Sequence, residues 1–318
     1  MCYSAMVEQR IKSLGIRFKA RIDYGAFADL FRRRLTDPSI KIARALEDQF
    51  ANPEDDLHRS IWAYIETYRA ERARLLGQAL AQQRKRLRGS QLSLAGLESP
   101  GPADHESVVT KKIRALDRQV ENLQRSAPVE SDSRIFPFWY FPAVISRAGE
   151  RVIVPVRYHC RLAAEPADVD RRLPGLYNAR RDSLTGYWKT LFGRQHALCV
   201  VQRFFEHVPR HRYQKREPLP GEVGSIVVAY QPTGVDDLSV ACLWDEWTAP
   251  DQPSLLSLAT ITDVPPPDVA ATGHDRFVVP LTSEAAEHWL DPDSRGPDQL
   301  RSLLDARQVT GFSHRQQD

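Results

Sequence analysis

The spacing of hydrophobic positions divides the chain into a helical part followed by a part rich in strands. In the first part, apolar residues such as Ile61 and Ile65 recur at intervals of three and four, which is typical of one face of a helix. Asn52 is predicted to cap this helix, with Pro53 in its first turn, and Gly89 is predicted to end it. The pattern therefore predicts one long helix from Asn52 to Gly89.

A second long helix is predicted after a loop. The segment "SQLSLAGLESPGPAD" is rich in Ser, Gly and Pro, as loops are. From Val109 to Leu123, apolar residues alternate at spacings of four and three, which makes a heptad-like stripe. Two long helices joined by a flexible loop indicate an antiparallel hairpin. Two interpretations stay open: an insertion that packs on itself, or an arm that contacts a protein partner or DNA.

The pattern changes between about residues 134 and 281. Short runs rich in β-branched and aromatic residues follow one another, as in "RVIVPVRYHCRL", "HALCVVQRFFEHV", "GSIVVAYQP", "SVACLWDEW", "LLSLATIT" and "RFVVPL". Pro, Gly and Asp separate the runs, which is typical of strands and turns. Strands and helices do not alternate, so a parallel doubly wound sheet is not expected. The sequence predicts an α+β fold with twisted, mostly antiparallel β-sheets and a helical insertion before them.

The end of the chain is predicted to hold one short helix and a tail. In "TSEAAEHWL", Thr282 or Ser283 can cap a helix that has acidic residues at its positive end. The last residues, "SHRQQD", are expected to be disordered. We expect four regions: 1–23, which carries Cys2 and belongs to the core; 24–130, the helical insertion; 131–292, the β-rich core; and 293–318, a C-terminal helix and tail.

Composition and charge exclude some classes of protein. The 318 residues are 42% hydrophobic and 27% charged, as in soluble globular proteins. No apolar run approaches the roughly 20 residues that span a bilayer, and "MCYSAMVEQRIKSLG" lacks the apolar core of a secretion signal. A cytoplasmic protein is therefore expected. The net charge of +3 does not by itself indicate nucleic acid, although "FRRRL", "QQRKRLR" and "NARR" are local basic clusters.

The four cysteines differ in what their positions allow. Cys160, Cys199 and Cys242 lie in apolar, strand-like stretches, and we interpret them as core thiols. The cysteines and histidines show no zinc-binding spacing, so neither a metal site nor a cofactor is expected. Cys2 directly follows Met1. If Met1 is removed, Cys2 carries an α-amine and a thiol on adjacent carbons, a pair that no other residue type provides.

Four motifs occur in an order that resembles a known family. They are "MC" at the start, "NARRDS" with Asn178 and Arg180, "FFEH" with Glu206, and "HDRFVVP" with His274 and Arg276. In this order they are similar to the motifs of the SOS-response-associated peptidases (SRAP), also called abasic-site-processing proteins. The resemblance covers the N-terminal "MC" and roughly residues 134–292. It implies a barrel-like core and a DNA substrate.

The resemblance also implies a reaction. Proteins of this family react with the aldehyde of an abasic deoxyribose in single-stranded DNA. The α-amine of Cys2 would form a Schiff base with that aldehyde, and the thiol would close a five-membered thiazolidine, giving a covalent DNA–protein crosslink. The same residues would allow the protein to release Met1 itself, as a peptidase. A hydrolase or lyase in the cytoplasm, associated with the nucleoid and active in DNA repair, is the expectation.

The resemblance implies a role for each matching residue. Glu206 would orient or deprotonate the Cys2 amine, and His274 would exchange protons at the sugar and the imine. Asn178 would hold the N-terminus or the sugar. Arg180 and Arg276 would bind the flanking phosphates.

Other side chains are weaker candidates. Thr260 or Thr262 would line the site, and the residues do not decide between the two. Trp139 and Tyr158 could stack on bases, although such residues are more often part of the core.

The chain departs from the family pattern at several places. "CYS" stands for Cys-Gly-Arg, "VRYHCRL" replaces an Arg-Trp-Gly-Leu element, His207 stands for Trp, and Phe277 for Met. Two other functions remain alternatives. One is an N-terminal-nucleophile amidohydrolase, which needs a backbone oxyanion hole after its cysteine. The other is a non-enzymatic protein that binds DNA or a partner through the basic helical arm.

Overall fold

The computed structural model describes residues 3–94 and 103–317, so Cys2 lies outside the described residues. Within these ranges the strands are β1 (Ser4–Val7), β2 (Arg21–Ile22), β3 (Lys41–Ile42), β4 (Arg134–Ile135), β5 (Trp139–Arg147), β6 (Glu150–Tyr158), β7 (Asn178–Arg180), β8 (His196–Pro209), β9 (Ser225–Thr233), β10 (Leu238–Ala249), β11 (Gln252–Asp263), β12 (Phe277–Val278), β13 (Pro280–Leu281) and β14 (Gly311–Gln317). The α-helices are α1 (Ile11–Phe18), α2 (Tyr24–Arg34), α3 (Arg44–Glu47), α4 (Asp56–Leu94), α5 (Ala103–Gln124), α6 (Val169–Arg172), α7 (Arg210–Tyr213), α8 (Pro267–Ala270), α9 (Ser283–Trp289) and α10 (Pro297–Leu303).

Five of the strands close into a barrel. Strands β10, β11, β6, β5 and β8 are hydrogen-bonded in that order, and β8 pairs again with β10. Four of the five contacts are antiparallel, and only β11 and β6 run parallel. The predicted fold class, an α+β protein with mostly antiparallel, barrel-like sheets and a helical hairpin, is confirmed.

The barrel strands are buried on both faces. Val154 and Cys242 belong to the cluster of residues inside the barrel, whereas their sequence neighbours Ile153 and Leu243 pack outward against the helices. Successive side chains of a strand point to opposite faces, so both faces must be apolar. This explains the almost continuous hydrophobic runs in the sequence.

Strand β8 connects the barrel to the N-terminal and C-terminal parts of the chain. Beyond the barrel it pairs with β1, with Ser4 opposite Phe205, and with β9. Strand β14 then pairs with β9 along Gly311–Gln317. The expectation of a disordered tail is therefore wrong for the described residues, because backbone pairing with β9 orders a segment that has no hydrophobic pattern. The cap that Thr282 forms on α9 is confirmed.

The helical hairpin is formed by α4 and α5, and its root packs on the outside of the barrel. Ile61 and Ile65 of α4 are fully buried in the outer core. Two predicted boundaries are wrong: α4 begins at Asp56, where the Asp55 side chain accepts the N–H of His58, and it runs through Gly89 to Leu94. Asp55, three residues before the N–H that it accepts, makes the cap in place of Asn52. A glycine costs a helix only about 1 kcal/mol.

Two further features follow from burial. Cys160, Cys199 and Cys242 are buried, so their interpretation as core residues is confirmed. Among the described residues, no helix combines the length and the apolar character needed to cross a membrane.

His196, the first residue of β8, is held as a neutral ring. Its Nε2 accepts the backbone N–H of Gly193 at 2.9 Å, and its Nδ1 lies 3.0 Å from the carbonyl oxygen of Trp289. Nδ1 therefore carries the proton, and a second proton on Nε2 would face another donor. The ring also stacks on the Trp289 indole at 3.7 Å. Burial lowers the pKa of His196 to about 3.

We expect His196 to make the fold sensitive to acid. Its pKa in the folded protein is below the value near 6.5 of an unfolded chain, so only the unfolded state takes up this proton as the pH falls below about 6.5. Stability is lost between that pH and about pH 3, by about 1.4 kcal/mol per pH unit for one proton. In His196→Gln, the slope of unfolding free energy against pH, measured by urea denaturation, should fall by about one proton. An unchanged slope in His196→Gln would contradict the assignment.

Candidate active site

The first described residue, Tyr3, is bound to a buried carboxylate. Its backbone N–H donates to Oε2 of Glu206 at 3.2 Å. The register of β1 on β8, with Ser4 opposite Phe205, brings Tyr3 beside Glu206. The Tyr3 ring packs edge-on against His207 and Phe136. Pairing of β1 with β8 thus fixes where the N-terminal strand meets this carboxylate.

His274 contacts the same carboxylate oxygen. Its Nε2 lies 3.4 Å from Oε2 of Glu206. Glu206 is 1% exposed and His274 is 7% exposed, so both groups are largely removed from water. Interactions between such groups are much stronger than between groups in solvent. A backbone donor and an imidazole nitrogen therefore converge on one carboxylate oxygen.

Two features position the loop that carries His274. The Tyr230 hydroxyl is hydrogen-bonded to that of Thr272 at 2.6 Å, and burial, to which the Glu206 charge adds, raises the pKa of Tyr230 to about 12. Gly273 has φ +89°, and a Cβ there would lie 2.5 Å from Cβ of Arg212. Only glycine fits this approach of the loop to α7 without strain.

Asn178, the first residue of β7, has its amide fixed on one side. Its Oδ1 accepts the hydroxyl of Thr260 at 3.2 Å, across the parallel pairing of β7 with β11. Of the two threonines that the sequence left undecided, Thr260 is the one that contacts Asn178. Asn178 is 8% exposed, and its Nδ2 has no hydrogen-bond partner among the described residues. An amide donor of this kind can bind a further group.

Two neighbouring cavities lie at this end of the barrel. The first, of about 310 Å³, is lined by Tyr3, Tyr177, His207, Pro209, Arg212, Gly273, His274, Asp275 and Arg276. The second, of about 220 Å³, contains Arg180 and Thr262. Asp275 and Arg276 line both. Arg276 therefore lies beside His274, whereas Arg180 points into the second cavity, where its guanidinium donates to Asp182 at 2.6 Å.

A larger cavity, of about 640 Å³, lies elsewhere, between α2 and the barrel. It contains Arg157 and Arg161, and both guanidinium groups are hydrogen-bonded to Asp170. These arginines are therefore held in an internal ion-pair network, and none of the predicted site residues lines this cavity.

Sequence reasoning missed Tyr3, Tyr177 and His207, which line the first cavity. Tyr3 acts through its backbone N–H, which leaves no signal in the sequence, and the substitution at His207 was visible only as a departure from a family motif. Tyr158 is buried inside the barrel, so of the two roles left open for it, the structure supports the one in the core. Trp139 is half-buried and packs on Phe136.

The fold and the site define a class of small barrel protein in which the start of the N-terminal strand lies beside a buried Glu–His pair. The chain belongs to the SOS response associated peptidase (SRAP) family, whose profile matches residues 106–316, well over half of the 318 residues. The recognition made from the four motifs is confirmed.

Two curated relatives share a shorter stretch. These are the abasic site processing proteins YoqW of Bacillus subtilis (strain 168) and of Bacillus phage SPbeta. Each is 38% identical over 64 residues, which is 20% of this chain and 28% of the relative. The chain thus spans little more than a quarter of the length of these relatives.

Three crystal structures are similar to the fold at low sequence identity. A protein of Bacteroides thetaiotaomicron is 16% identical, with a TM-score of 0.46 over 57% of this chain and 76% of its own. A protein of Bordetella bronchiseptica is 15% identical, with a TM-score of 0.44 over 61% and 90%. A phage-related protein of the same organism is 17% identical, with a TM-score of 0.43 over 57% and 80%.

We expect Gly273→Ala to destabilise the protein more than a glycine substitution in open space. The new Cβ meets Arg212 and the positive φ is strained for alanine, so a loss of about 2 to 4 kcal/mol is expected. Gly149→Ala is the matched control, because Gly149 also has a positive φ (+76°) but nothing within 4 Å of its Cβ position. Urea denaturation measures both. Equal losses in the two variants would contradict the tight packing of the loop on α7.

Proposed function

We propose that this protein processes abasic sites in DNA by forming a covalent crosslink through Cys2. The proposal requires that Met1 is removed, so that Cys2 carries a free α-amine beside its thiol. The substrate is the ring-opened aldehyde of an abasic deoxyribose in single-stranded DNA. Membership of the SRAP family and the names of the two relatives support this choice.

One observation carries the proposal. The N–H of Tyr3, the residue joined to Cys2 by a peptide bond, donates to the Glu206 carboxylate, which His274 also contacts. A carboxylate and an imidazole are the two side chains most often used as general base and acid. Glu206 and His274 lie beside the start of β1. This position supports a reaction at Cys2, the residue before Tyr3.

The first step is condensation of the amine with the aldehyde. An α-amine has an ordinary pKa of about 7.7 to 8.0, so part of it is neutral near pH 7. Its lone pair attacks the aldehyde carbon, and the carbinolamine loses its hydroxyl group as water to give an imine. Glu206 takes up the proton that leaves the nitrogen, and His274 supplies the proton that leaves with the hydroxyl.

The second step closes the ring. The Cys2 sulfur adds to the imine carbon, the thiol proton passes to the nitrogen, and a thiazolidine forms. The two steps together join one aldehyde and one aminothiol with the loss of one water, and nothing is oxidised or reduced. Ring closure is intramolecular, which favours it strongly over attack by an external thiol. The product traps the lesion before the imine can promote strand cleavage.

The other predicted residues bind the substrate in this proposal. Asn178, whose side-chain NH2 group has no hydrogen-bond partner among the described residues, holds the N-terminus or the sugar. Arg276, beside His274 in the first cavity, and Arg180, in the second, bind flanking phosphates. Release of Met1 by the same Glu206 and Asn178 is an additional activity that we propose for the site.

We expect the purified protein to form a denaturant-resistant adduct with a single-stranded oligonucleotide that carries one abasic site. Cys2→Ala keeps the α-amine but has no thiol to close the ring, so its adduct should not survive denaturation unless borohydride first reduces the imine. Cys2→Ser keeps the amine but closes the analogous ring poorly, so its adduct should survive denaturation only after borohydride reduction. Denaturing gels measure all three proteins, with an intact oligonucleotide as the control.

Two outcomes would contradict this proposal. One is an undiminished adduct in Cys2→Ala, which would place the reactive group elsewhere. The other is glutaminase activity that depends on Cys2 in the absence of any DNA adduct, which would favour the N-terminal-nucleophile amidohydrolase.

We expect Glu206→Gln and His274→Gln to slow crosslinking by about 100-fold or more, since general acid–base groups contribute about 10² to 10⁴ to a rate. The affinity for intact DNA should change little, because neither group is proposed to bind phosphate. Single-turnover gel assays give the rate and fluorescence anisotropy gives the affinity. Glu246→Gln, which alters a partly exposed carboxylate paired with Arg147, is the matched control. A parallel loss of rate and affinity would show that Glu206 and His274 act in binding.

A further inference from the structure

Two stretches of the α4–α5 hairpin are strongly basic. Four cationic side chains lie between Arg84 and Arg88, and four more between Lys111 and Arg118, and all eight are exposed. These two stretches contain a single acidic residue, Asp117, which pairs with Arg84 at 3.0 Å. We call these two stretches the basic arm. The basic arm thus holds eight basic side chains and one acidic side chain.

The two helices of the hairpin, α4 and α5, are joined to each other and anchored to the body at their root; together we call them the rod. Arg72 of α4 donates to Gln119 of α5 at 3.1 Å. Arg84 is twelve residues farther along α4, about 18 Å at 1.5 Å per residue. At the root, Arg34 and Arg69 both bind Glu47, so the point where the rod leaves the body is fixed. The Arg84–Arg88 stretch of the basic arm therefore lies well along α4 from this fixed root.

The apolar residues of the two helices are used for packing between them. Leu76 of α4 and Val109 of α5 are buried, in line with the heptad-like stripe on α5. Val108 is the one large hydrophobic side chain that is exposed within or next to the basic arm, as far as its side chains are described. A protein partner needs a fully buried apolar centre in its interface. A charged surface without such a centre favours a polyanion.

We propose that the basic arm binds the phosphate backbone of DNA without regard to sequence, outside the crosslinking site. The chemistry that it recognises is a row of phosphates, and the ligand is a nucleic acid. This inference rests on the proposed function only for the identity of the nucleic acid. Binding of this kind is driven by the release of counterions, so it has a defined dependence on salt.

The root of the hairpin adjoins the candidate active site along the chain. Arg125, just after α5, is paired with Asp132, and the chain then enters β4 and reaches Phe136, whose ring contacts Tyr3. Strand β4 also pairs with β1. A strand of DNA held at Tyr3 therefore lies next to the base of the rod, and the flanking nucleotides can follow it to the arm.

The test compares two triple variants in their binding of intact DNA. Lys85→Gln, Arg88→Gln and Lys111→Gln together remove three of the eight positive charges of the arm. The control triple, Lys189→Gln, Arg194→Gln and Arg301→Gln, removes three exposed cations from the body. Fluorescence anisotropy gives the affinity for a 30-nucleotide single strand, and for the matching duplex, at several salt concentrations. Surface changes of this kind rarely alter stability by more than about 0.5 kcal/mol, and thermal unfolding checks that both variants fold.

In the arm variant, the slope of log K against log salt should fall by about 2 to 3, since each lost phosphate contact removes about 0.7 to 0.9. Affinity at 0.1 M salt should fall at least tenfold, and the control should remain close to the unaltered protein. An unchanged slope, or an equal fall in both variants, would overturn the proposal. The proposal would also be overturned if the arm variant bound DNA like the unaltered protein while its mass in sedimentation changed. That result would assign the arm to a protein partner.

The proposed function is tested separately. The arm variant should still crosslink an abasic oligonucleotide of seven nucleotides, because none of the three altered residues lines the cavity beside His274. If the unaltered protein binds intact DNA through the arm but forms no adduct, the proposed function fails and this inference stands.

Discussion

The buried carboxylate of Glu206 is the group on which the rest of the site depends. An ionised group that is 1% exposed is tolerated only where donors replace its lost water. The N–H of Tyr3 and the ring of His274 are two groups that contact it, and they come from opposite ends of the chain. Closing the barrel is what brings them together. Removing one donor would leave a buried charge less well compensated, which typically costs several kcal/mol.

Strand β8 is the element that positions most of these groups. Its first residue, His196, is fixed as a neutral ring against Trp289, and Glu206 lies ten residues later, about 33 Å along the strand. Between them β8 pairs with β1, β5 and β10, and β9 pairs with its second half. A strand that is buried on both faces and paired on both edges holds its side chains at fixed heights. The positions of the N-terminal strand and of Glu206 are therefore set by one rigid element.

Sequence patterns predicted the fold where local signals were strong. The runs that became β6, β8, β9, β10 and β11 are apolar on both faces, and the heptad-like stripe of α5 is regular. Strand β5 was missed because two prolines, Pro137 just before it and Pro142 within it, interrupt its strand pattern. Strand β14 was missed because its residues are polar and only pairing with β9 orders them.

The same distinction between local and long-range signals applies to the residues of the candidate site. Glu206 and His274 could be named because four motifs, in order, resemble those of the SRAP family. The contact through the backbone of Tyr3, the support that Thr260 gives to Asn178, and the packing of Gly273 on Arg212 depend on pairing between distant segments, which no local pattern records.

The central claim is that a reactive residue next to Tyr3 captures an aldehyde carbon. Intact-mass spectrometry of the protein after reaction with an abasic oligonucleotide, followed by peptide mapping, tests it most directly. The account predicts the mass of the chain without Met1 plus that of the oligonucleotide, less one water, with the added mass on the peptide that begins at Cys2. A chain that keeps Met1 yet still forms the adduct, or an adduct that maps to a lysine, would contradict it.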